Sequence, residues 1–333
     1  MKLNNLNKKM NIEAKLIGIL FLELIALSFI LTSFSSFISG GVGNNVTVTT
    51  SLQVGEVYPE LLNVSIDNSA SSVTLVGNST KTVLCEGLIR DYNNDSTLGN
   101  ATAELFITSG SSYGGSNDNN LHYTNGSCLI NTNFSSWGGV SDDDYHALAQ
   151  CNFQIYYYAN PGNWNCSLYV NDSVGFSDLQ NDSITINQLL SIGLPSSIDY
   201  SVVNSTSVSG EKTVNVSNTG NVILNLSLSG YAVTQGDNYS MNCTLGNIQN
   251  ISIGYEKFRL NTSITGPLTF SDFEANYTNL SAGATVKRFN LNYRQNDSND
   301  DAINGTYWRV YVPRGVAGNC TGNILFGAVQ AEE

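Results

Sequence analysis

The chain has 333 residues, room for about two domains of ordinary size, and 41% of them are hydrophobic, enough for packed cores. It carries 14 Lys and Arg against 27 Asp and Glu, which gives a net charge of −13. No Lys or Arg lies between Arg90 and Lys212. Because a phosphate-binding surface needs clustered basic side chains, this distribution of charge argues against nucleic acid as a partner.

The N-terminal part of the chain has the pattern of a membrane segment. Residues 1–15 form a basic leader with four lysines, and residues 16–40 contain an apolar run interrupted by one charge, Glu23. Such a run is long enough to cross a bilayer as a helix, and the basic flank favours a cytoplasmic leader. The sequence therefore predicts a protein held in the cell membrane by one N-terminal helix, with the bulk of the chain extracellular. A cleaved signal segment is the alternative.

Glu23 stands in an apolar run where an ionisable group is costly. It is the fifth residue after Gly18, within the stretch Ile-Leu-Phe-Leu-Glu-Leu. This pattern resembles the N-terminus of type IV pilins and archaeal pilin-like proteins, in which a glycine precedes the cleavage point and a glutamate follows in the hydrophobic stretch. The resemblance implies an alternative function, a pilin-like subunit of an extracellular filament.

From residue 45 onward the chain has the pattern of short β-strands. Runs of alternating apolar residues are separated by clusters of Asn, Gly, Asp and Ser, which is typical of all-β sandwiches. We predict two antiparallel, immunoglobulin-like β-sandwich domains in tandem, over 45–190 and 198–331, joined by a linker at 191–197.

The clearest alternation lies in the second predicted domain. Valines at 214 and 216 and leucines at 224, 226 and 228 alternate with polar residues, so we expect them to face a core. The intervening turn around Gly220 predicts that the two strands form a hairpin.

Six cysteines in an exported chain predict three disulfides, four cysteines falling in the first domain and two in the second. The spacing of Cys85 and Cys166, with Trp164 beside the second, resembles the inter-sheet disulfide of immunoglobulin-like domains. That resemblance implies a Cys85–Cys166 pair, which leaves Cys128 with Cys151. The connectivity within the first domain stays open at this point. In the second domain Cys243 is expected to pair with Cys320.

The strongest signal in the sequence is its content of Asn-x-Ser/Thr sequons. There are about 22, against roughly 9 expected from the Asn, Ser and Thr content, and all follow residue 40. This excess predicts an exported surface that carries N-glycans. The predicted sites are Asn45, Asn63, Asn78, Asn94, Asn100, Asn125, Asn133, Asn171, Asn181, Asn204, Asn215, Asn225, Asn238, Asn250, Asn261, Asn276, Asn279, Asn296 and Asn304.

Two loops carry alternating oxygen-bearing side chains. Alternating carboxylates and amides can converge on one hard cation when a loop curls, so calcium is the candidate cofactor. Both loops lack the glycine and the later glutamate of an EF-hand. Turn formation alone also explains such clusters. The candidate ligands are Asp91, Asn93, Asp95, Asp297, Asn299 and Asp301.

These patterns favour a membrane-anchored, N-glycosylated surface protein with a structural or adhesive role and no catalysis. The dense sequons and Asn-Thr-Gly-Asn turn resemble surface proteins of archaea. Expected partners are the membrane, other envelope or surface proteins, and copies of itself. For self-association, the basic residues at 257, 259, 287, 288 and 294 could meet the acidic first domain of a neighbour. A carbohydrate-binding module is a further alternative, with Tyr156–Tyr158, Trp164 and Trp137 as candidate stacking rings.

Overall fold

The computed structural model describes residues 48–297 and 302–331. Its contacts divide the chain into two units, Met1–Val54 and Gly55–Glu333, and every strand and helix given below lies in the second. The described part of the first unit, residues 48–54, forms no regular secondary structure.

The first sandwich comprises residues 60–186 and is built from strands of up to 11 residues. They pair antiparallel, except that the two-residue strand Ser72–Val73 pairs parallel with the last strand. Polar turns separate the strands, as the sequence pattern predicts. Its strands are β1 (Glu60–Ile66), β2 (Ser72–Val73), β3 (Thr80–Arg90), β4 (Leu98–Ile107), β5 (His122–Asn125), β6 (Leu129–Asn131), β7 (Ser136–Trp137), β8 (Val140–Ser141), β9 (His146–Tyr156), β10 (Gly162–Asp172) and β11 (Ser177–Ile186).

Two sheets enclose the core of the first sandwich. One has the strand order β1-β3-β9-β6 and the other the order β2-β11-β10-β4-β5, while β7 and β8 form a small hairpin. Alternate residues of both sheets point inward, so Ile89 and Ile155 from one sheet share a core with Trp164 and Leu168 from the other. The fold is therefore all-β here, and the finer immunoglobulin-like assignment stays a prediction.

The second sandwich comprises residues 192–330 and contains one short helix, α1 (Phe270–Asn276), capped by the Thr269 hydroxyl. Its strands are β12 (Ile192–Gly193), β13 (Lys212–Asn218), β14 (Leu224–Tyr231), β15 (Tyr239–Gly246), β16 (Asn250–Ser252), β17 (Glu256–Leu260), β18 (Thr278–Asn279), β19 (Thr285–Leu291), β20 (Ile303–Val310), β21 (Val316–Thr321) and β22 (Asn323–Gln330).

Three sheets make up the second sandwich, with strand orders β12-β13-β20-β17-β18, β19-β14-β22 and β16-β15-β21. The predicted inward residues are buried, from Val214 at 3% exposed to Leu224, Leu226 and Leu228 at 0%. The predicted hairpin is wrong, because β13 and β14 belong to different sheets. Both strands point their apolar faces at one core, and the turn around Gly220 crosses between the sheets.

All six cysteines form disulfides, and they pair as expected from the sequence. The bond between Cys85 on β3 and Cys166 on β10 joins the two sheets of the first sandwich. A second bond joins Cys128 to Cys151. In the second sandwich Cys243 and Cys320 are direct partners on the paired strands β15 and β21.

The two sandwiches meet through buried polar side chains. Asn221 is 0% exposed; its amide nitrogen donates to the carbonyl oxygens of Ala159 at 3.0 Å and Asn187 at 3.1 Å, and its oxygen accepts from the Leu189 N–H at 2.6 Å. Within the predicted linker, Ile192 and Gly193 form β12 and pair with β13. The chain between the sandwiches is therefore fixed by sheet pairing and by the Asn221 amide.

The predicted membrane anchor needs correction. Within residues 48–297 and 302–331, no helix could span a membrane: the α-helix there has 7 residues, about 10 Å, against a bilayer core of about 30 Å. The leader 1–15, the predicted span 16–40 and the pilin-like Gly18 and Glu23 lie outside the described residues. The prediction that an N-terminal helix holds the protein in the cell membrane is therefore withdrawn.

Candidate binding cleft

The second sandwich opens into a cleft of about 810 Å³ beside its terminal strands β21 and β22. One wall is formed by residues 194–203, which follow β12 without forming a strand, and the opposite wall by residues 316–326. Apolar side chains from both faces of the sandwich line the space between the walls. They are Val214, Met241, Ile251, Val310, Val312, Val316 and Phe326.

One ionisable side chain lies in the cleft floor. Glu256, the first residue of β17, is 2% exposed, and the Tyr200 hydroxyl donates a hydrogen bond to its Oε1 over 2.9 Å. Burial raises the pKa of Glu256 to about 7, because the ionised carboxylate would lose its hydration. Burial also raises the pKa of Tyr200. The cleft therefore has an apolar floor with one buried carboxyl group that is neutral in mild acid, and walls that carry polar side chains, Asp199 among them.

Among the described residues, backbone hydrogen bonds hold the chain next to residues 194–203 against the end of β20, but not against β21 or β22. The chain that follows them is held by Thr206 and Ser209, whose N–H groups donate to the carbonyls of Val312 at 2.7 Å and Val310 at 2.8 Å, at the end of β20. In the described chain no backbone hydrogen bond joins residues 194–203 to β21 or β22. The cleft is thus a gap between two backbone segments, suited to holding apolar side chains of a bound segment.

The predicted glycosylation sites lie at the surface. Asn45 lies outside the described residues, and of the other eighteen sites twelve are exposed and six are partly buried. On β13, Asn215 is exposed while its neighbours Val214 and Val216 are buried. On this strand the alternation therefore turns Asn215 outward and the apolar residues inward.

The first predicted calcium loop is held by hydrogen bonds within the chain. Asp91 is buried, and its two carboxylate oxygens accept from the Asn93 N–H at 2.8 Å and from the Thr97 hydroxyl at 3.0 Å. The Asn93 side-chain oxygen accepts from the Val57 N–H at 2.6 Å. Burial, reinforced by nearby carboxylates, raises the pKa of Asp95. These contacts fix the loop with the oxygens turned to its own backbone.

The second predicted calcium loop lies at the joint between the sandwiches. The Tyr158 hydroxyl and the Asn119 amide donate to the two carboxylate oxygens of Asp297 at 2.5 and 2.7 Å. The hydrogen bond from Tyr158 lowers the pKa of Asp297. Asn299 and Asp301 lie outside the described residues. Among the residues with described positions, no three His, Cys, Asp or Glu side chains are grouped to hold a metal ion. Calcium at either loop stays a prediction.

A serine, a histidine and a glutamate lie in line in the first sandwich. The Ser111 hydroxyl is 2.9 Å from Nδ1 of His122, and Nε2 of His122 is 3.4 Å from a carboxylate oxygen of Glu104. His122 is 1% exposed, and a Cβ placed on Gly115 would lie 2.8 Å from the Ser111 hydroxyl oxygen. Because the chain packs directly over the hydroxyl, these groups hold the loop after β4 rather than present a nucleophile.

The candidate sugar-stacking rings are packed into the protein. Tyr158 is 2% exposed and Trp164 0%. Trp137 is partly buried in a small cluster, and its indole N–H donates to Glu86 over 3.3 Å. Tyr156, the most exposed of these rings at 38%, stacks on Tyr158 at 5.2 Å. These rings thus pack against other residues of the protein more than they are exposed for stacking on a sugar.

The structure also changes the role predicted for the basic residues of β17. Lys257 is 1% exposed and pairs with Glu274 over 2.8 Å beneath the ring of Phe273. Arg259 donates to the carbonyl oxygen of Asn276. The basic residues of β17 are therefore used within the second sandwich, not offered to a partner.

No protein-family model and no curated protein matches the chain. Among solved structures it is similar to a chaperone–tip adhesin complex of CFA/I fimbriae biogenesis, at 11% identity over 82% of each chain with a TM-score of 0.29. It is also similar to carbohydrate-binding modules of the β-sandwich superfamily, at 8% identity over 84% of this chain and 100% of that one, TM-score 0.23.

A third similar structure is the C-terminal domain of the Streptococcus agalactiae AgI/II polypeptide BspA, at 10% identity over 82% of this chain and 99% of that one, TM-score 0.21. These scores are too low for the likenesses to carry a functional argument. No comparison supports the resemblance to archaeal surface proteins or to pilins. The functional conclusion therefore rests on the geometry of the chain itself.

Proposed function

We propose that the protein is an exported, N-glycosylated, non-catalytic surface protein whose role is structural or adhesive. The observation that carries this proposal is the placement of the sequons: all eighteen described asparagines reach the surface, including those on strands. A glycan attaches to an asparagine that solvent reaches, and on a sheet it leaves the apolar face free to pack. The surface positions of these asparagines support a glycan coat that lies outside the cores.

The disulfides also support a location outside the cytosol. All six cysteines are bonded, and bonds of this kind persist in oxidising environments outside the cytosol. The cleft of the second sandwich supports a role in binding, because its floor combines apolar side chains with a single buried carboxyl group. His122, which lies between Ser111 and Glu104, is only 1% exposed, and this burial favours a non-catalytic role.

Glycopeptide mass spectrometry of the native protein tests the proposal. We expect sugar mass on most of the exposed asparagines, with Asn215 among them, and a mass shift of six hydrogens on reduction of the three disulfides. A matched control is Asn218, which lies three residues along the same strand, is 1% exposed and is not followed by Ser or Thr at the required position. Native material without carbohydrate, or with six free thiols, would overturn the proposal.

A further inference from the structure

The cleft of the second sandwich borders an unprotected sheet edge. Strands β21 and β22 are each the last strand of a three-stranded sheet, β21 paired with β15 and β22 with β14. From Val316 to Gln330 this edge contains no charged residue and no proline. Natural proteins usually protect edge strands with lysine, proline or a covering segment, because the free backbone groups of an edge can pair with another strand.

The rim of the cleft carries exposed apolar side chains among its polar ones. Val202 on the wall is 96% exposed, and Leu194 and Leu325 are each 40% exposed. Behind this rim lie Ile251 and Val310, which are 1% and 2% exposed. An added strand along β22 could therefore gain backbone hydrogen bonds on one side and contacts for every second side chain on the other.

The same chain contains a segment that has the complementary pattern. In residues 46–54 every second position is apolar except for one threonine. Val46, Val48, Thr50, Leu52 and Val54 would share one face of a strand, and Thr, Ser and Gln lie between them. Val48, Leu52 and Val54 are 77%, 89% and 68% exposed. The described residues of this segment form no strand. It has the pattern of one half-buried β-strand with its apolar face left open to solvent.

We propose that residues 46–54 of one copy of the chain add as a β-strand along the β22 edge of a second copy and fill its cleft. The lengths agree: nine extended residues span about 30 Å, and the eight residues of β22 span about 26 Å. Neither the segment nor the edge carries a charge, so the two pairing strands bring no charge of their own into the contact. This assembly deepens the structural role proposed above and rests on it.

Both halves of this contact are open to solvent. Val48, Leu52 and Val54 of the segment and Val202 on the rim of the cleft are 68–96% exposed, so a second copy can bring them together.

Each copy then carries one donor segment and one acceptor edge. A contact between different surfaces of identical chains does not close on itself unless the rotation happens to form a ring, so it produces linear head-to-tail chains. The partner that fits the cleft is thus a second copy of this protein, bound through backbone pairing and aliphatic side chains.

The donor half of the proposal is tested with two matched variants of the full chain. Leu52→Asp places a carboxylate on the apolar face of the segment, and Gln53→Asp places the same group on the opposite face. We expect sedimentation velocity to show wild-type and Gln53→Asp chains in head-to-tail oligomers, and Leu52→Asp to weaken association about tenfold or more. All other parts of the chain are shared, so association through them affects both variants equally.

The acceptor half is tested by complementation. Ala317→Glu adds a charge at an exposed position of the cleft wall and leaves residues 46–54 intact. We expect Ala317→Glu and Leu52→Asp each to be monomeric alone and to form a 1:1 dimer when mixed, because each retains the half that the other lacks. Circular dichroism and thermal unfolding of both variants report whether the fold is retained.

Three results would overturn the proposal. The first is a wild-type chain that stays monomeric at high micromolar concentration. The second is equal association of Leu52→Asp and Gln53→Asp. The third is an Ala317→Glu chain that fails to associate while Leu52→Asp associates as the wild type does, which would assign the cleft to another segment or partner. Glycopeptide masses are measured on the same samples, so the failure of the assembly is distinguished from the failure of the proposed function.

Discussion

The Asn221 amide on the second sandwich donates a hydrogen bond over 3.0 Å to the carbonyl oxygen of Ala159 on the first. Replacing Asn221 with alanine leaves that carbonyl and the Leu189 N–H without a partner in a buried joint. We expect the free energy of unfolding to fall by about 2–4 kcal/mol. Urea unfolding followed by tryptophan fluorescence measures the change, since Trp164 and Trp308 report on different sandwiches.

The control for this prediction is Asn215→Ala, on the exposed face of β13. Its free energy of unfolding should change by no more than about 0.5 kcal/mol. If Asn221→Ala is equally mild, the joint does not depend on the buried amide.

Arg309 on β20 supports a second prediction. It is 0% exposed, and its guanidinium donates to the carbonyls of Ser209, Ile264 and Gly266 at 2.7–2.8 Å and to the Tyr277 hydroxyl at 2.9 Å. A lysine keeps the charge but cannot reach four acceptors in different directions. We expect Arg309→Lys to lower the free energy of unfolding by about 3 kcal/mol.

Thermal unfolding checks the prediction, with Arg314→Lys as the control because Arg314 is exposed on the loop before β21. Proteolysis gives an independent measure: loss of the two carbonyl contacts should open the loop 261–269 to cleavage. An Arg309→Lys chain as stable and as resistant as the control would contradict the role assigned to the guanidinium.

Strand alternation was enough to predict the cores, but not what covers each sheet. Val214, Leu224 and Leu228 are buried as their period-two pattern predicts. Arg309 and Lys257 are buried as well, because α1 and the loop 261–269 pack over the outer face of that sheet. A local pattern predicts which face of a strand is apolar. It cannot predict that a segment distant in sequence will pack over the polar face.

The turn at Gly220 shows the same limit at the joint. Its sequence predicts a tight turn, and a turn is present, but the hairpin prediction is wrong because the turn joins two sheets. A Cβ on Gly220 would lie 2.0 Å from the Leu189 carbonyl oxygen, so the glycine is required for contact with the segment leaving the first sandwich. Neither the cleft nor the burial of Glu256 could be predicted from the sequence, because the residues that form them come from separate strands and a loop.

The disulfides make a third prediction about stability. The Cys85–Cys166 bond closes a loop with a sequence separation of 81, and the Cys128–Cys151 bond a loop of 23. The larger loop restricts the unfolded chain more. Replacing Cys85 and Cys166 together with alanine should cost about 4 kcal/mol, and replacing the other pair about 3 kcal/mol. Urea midpoints of the two double variants compare them directly, and a reversed order would show that native packing outweighs chain entropy.

The last prediction concerns the pH dependence set by Glu256. Its pKa is about 7 in the folded chain against 4.5 for the free side chain, so the folded protein holds one more proton between these values. Stability from the neutral carboxyl is complete below about pH 4.5 and is lost as pH rises through about 7. The loss amounts to about 3 kcal/mol.

Glu256→Gln removes this titration and keeps an oxygen that can accept the Tyr200 hydroxyl hydrogen bond. We therefore expect the variant to match the wild type at pH 4.5 and to exceed it by about 3 kcal/mol at pH 9, measured by urea unfolding at both values. Using the difference between the two proteins cancels every other titrating group. A difference that does not change with pH would show that the carboxylate stays ionised in the folded protein, which requires water or a cation in the cleft floor.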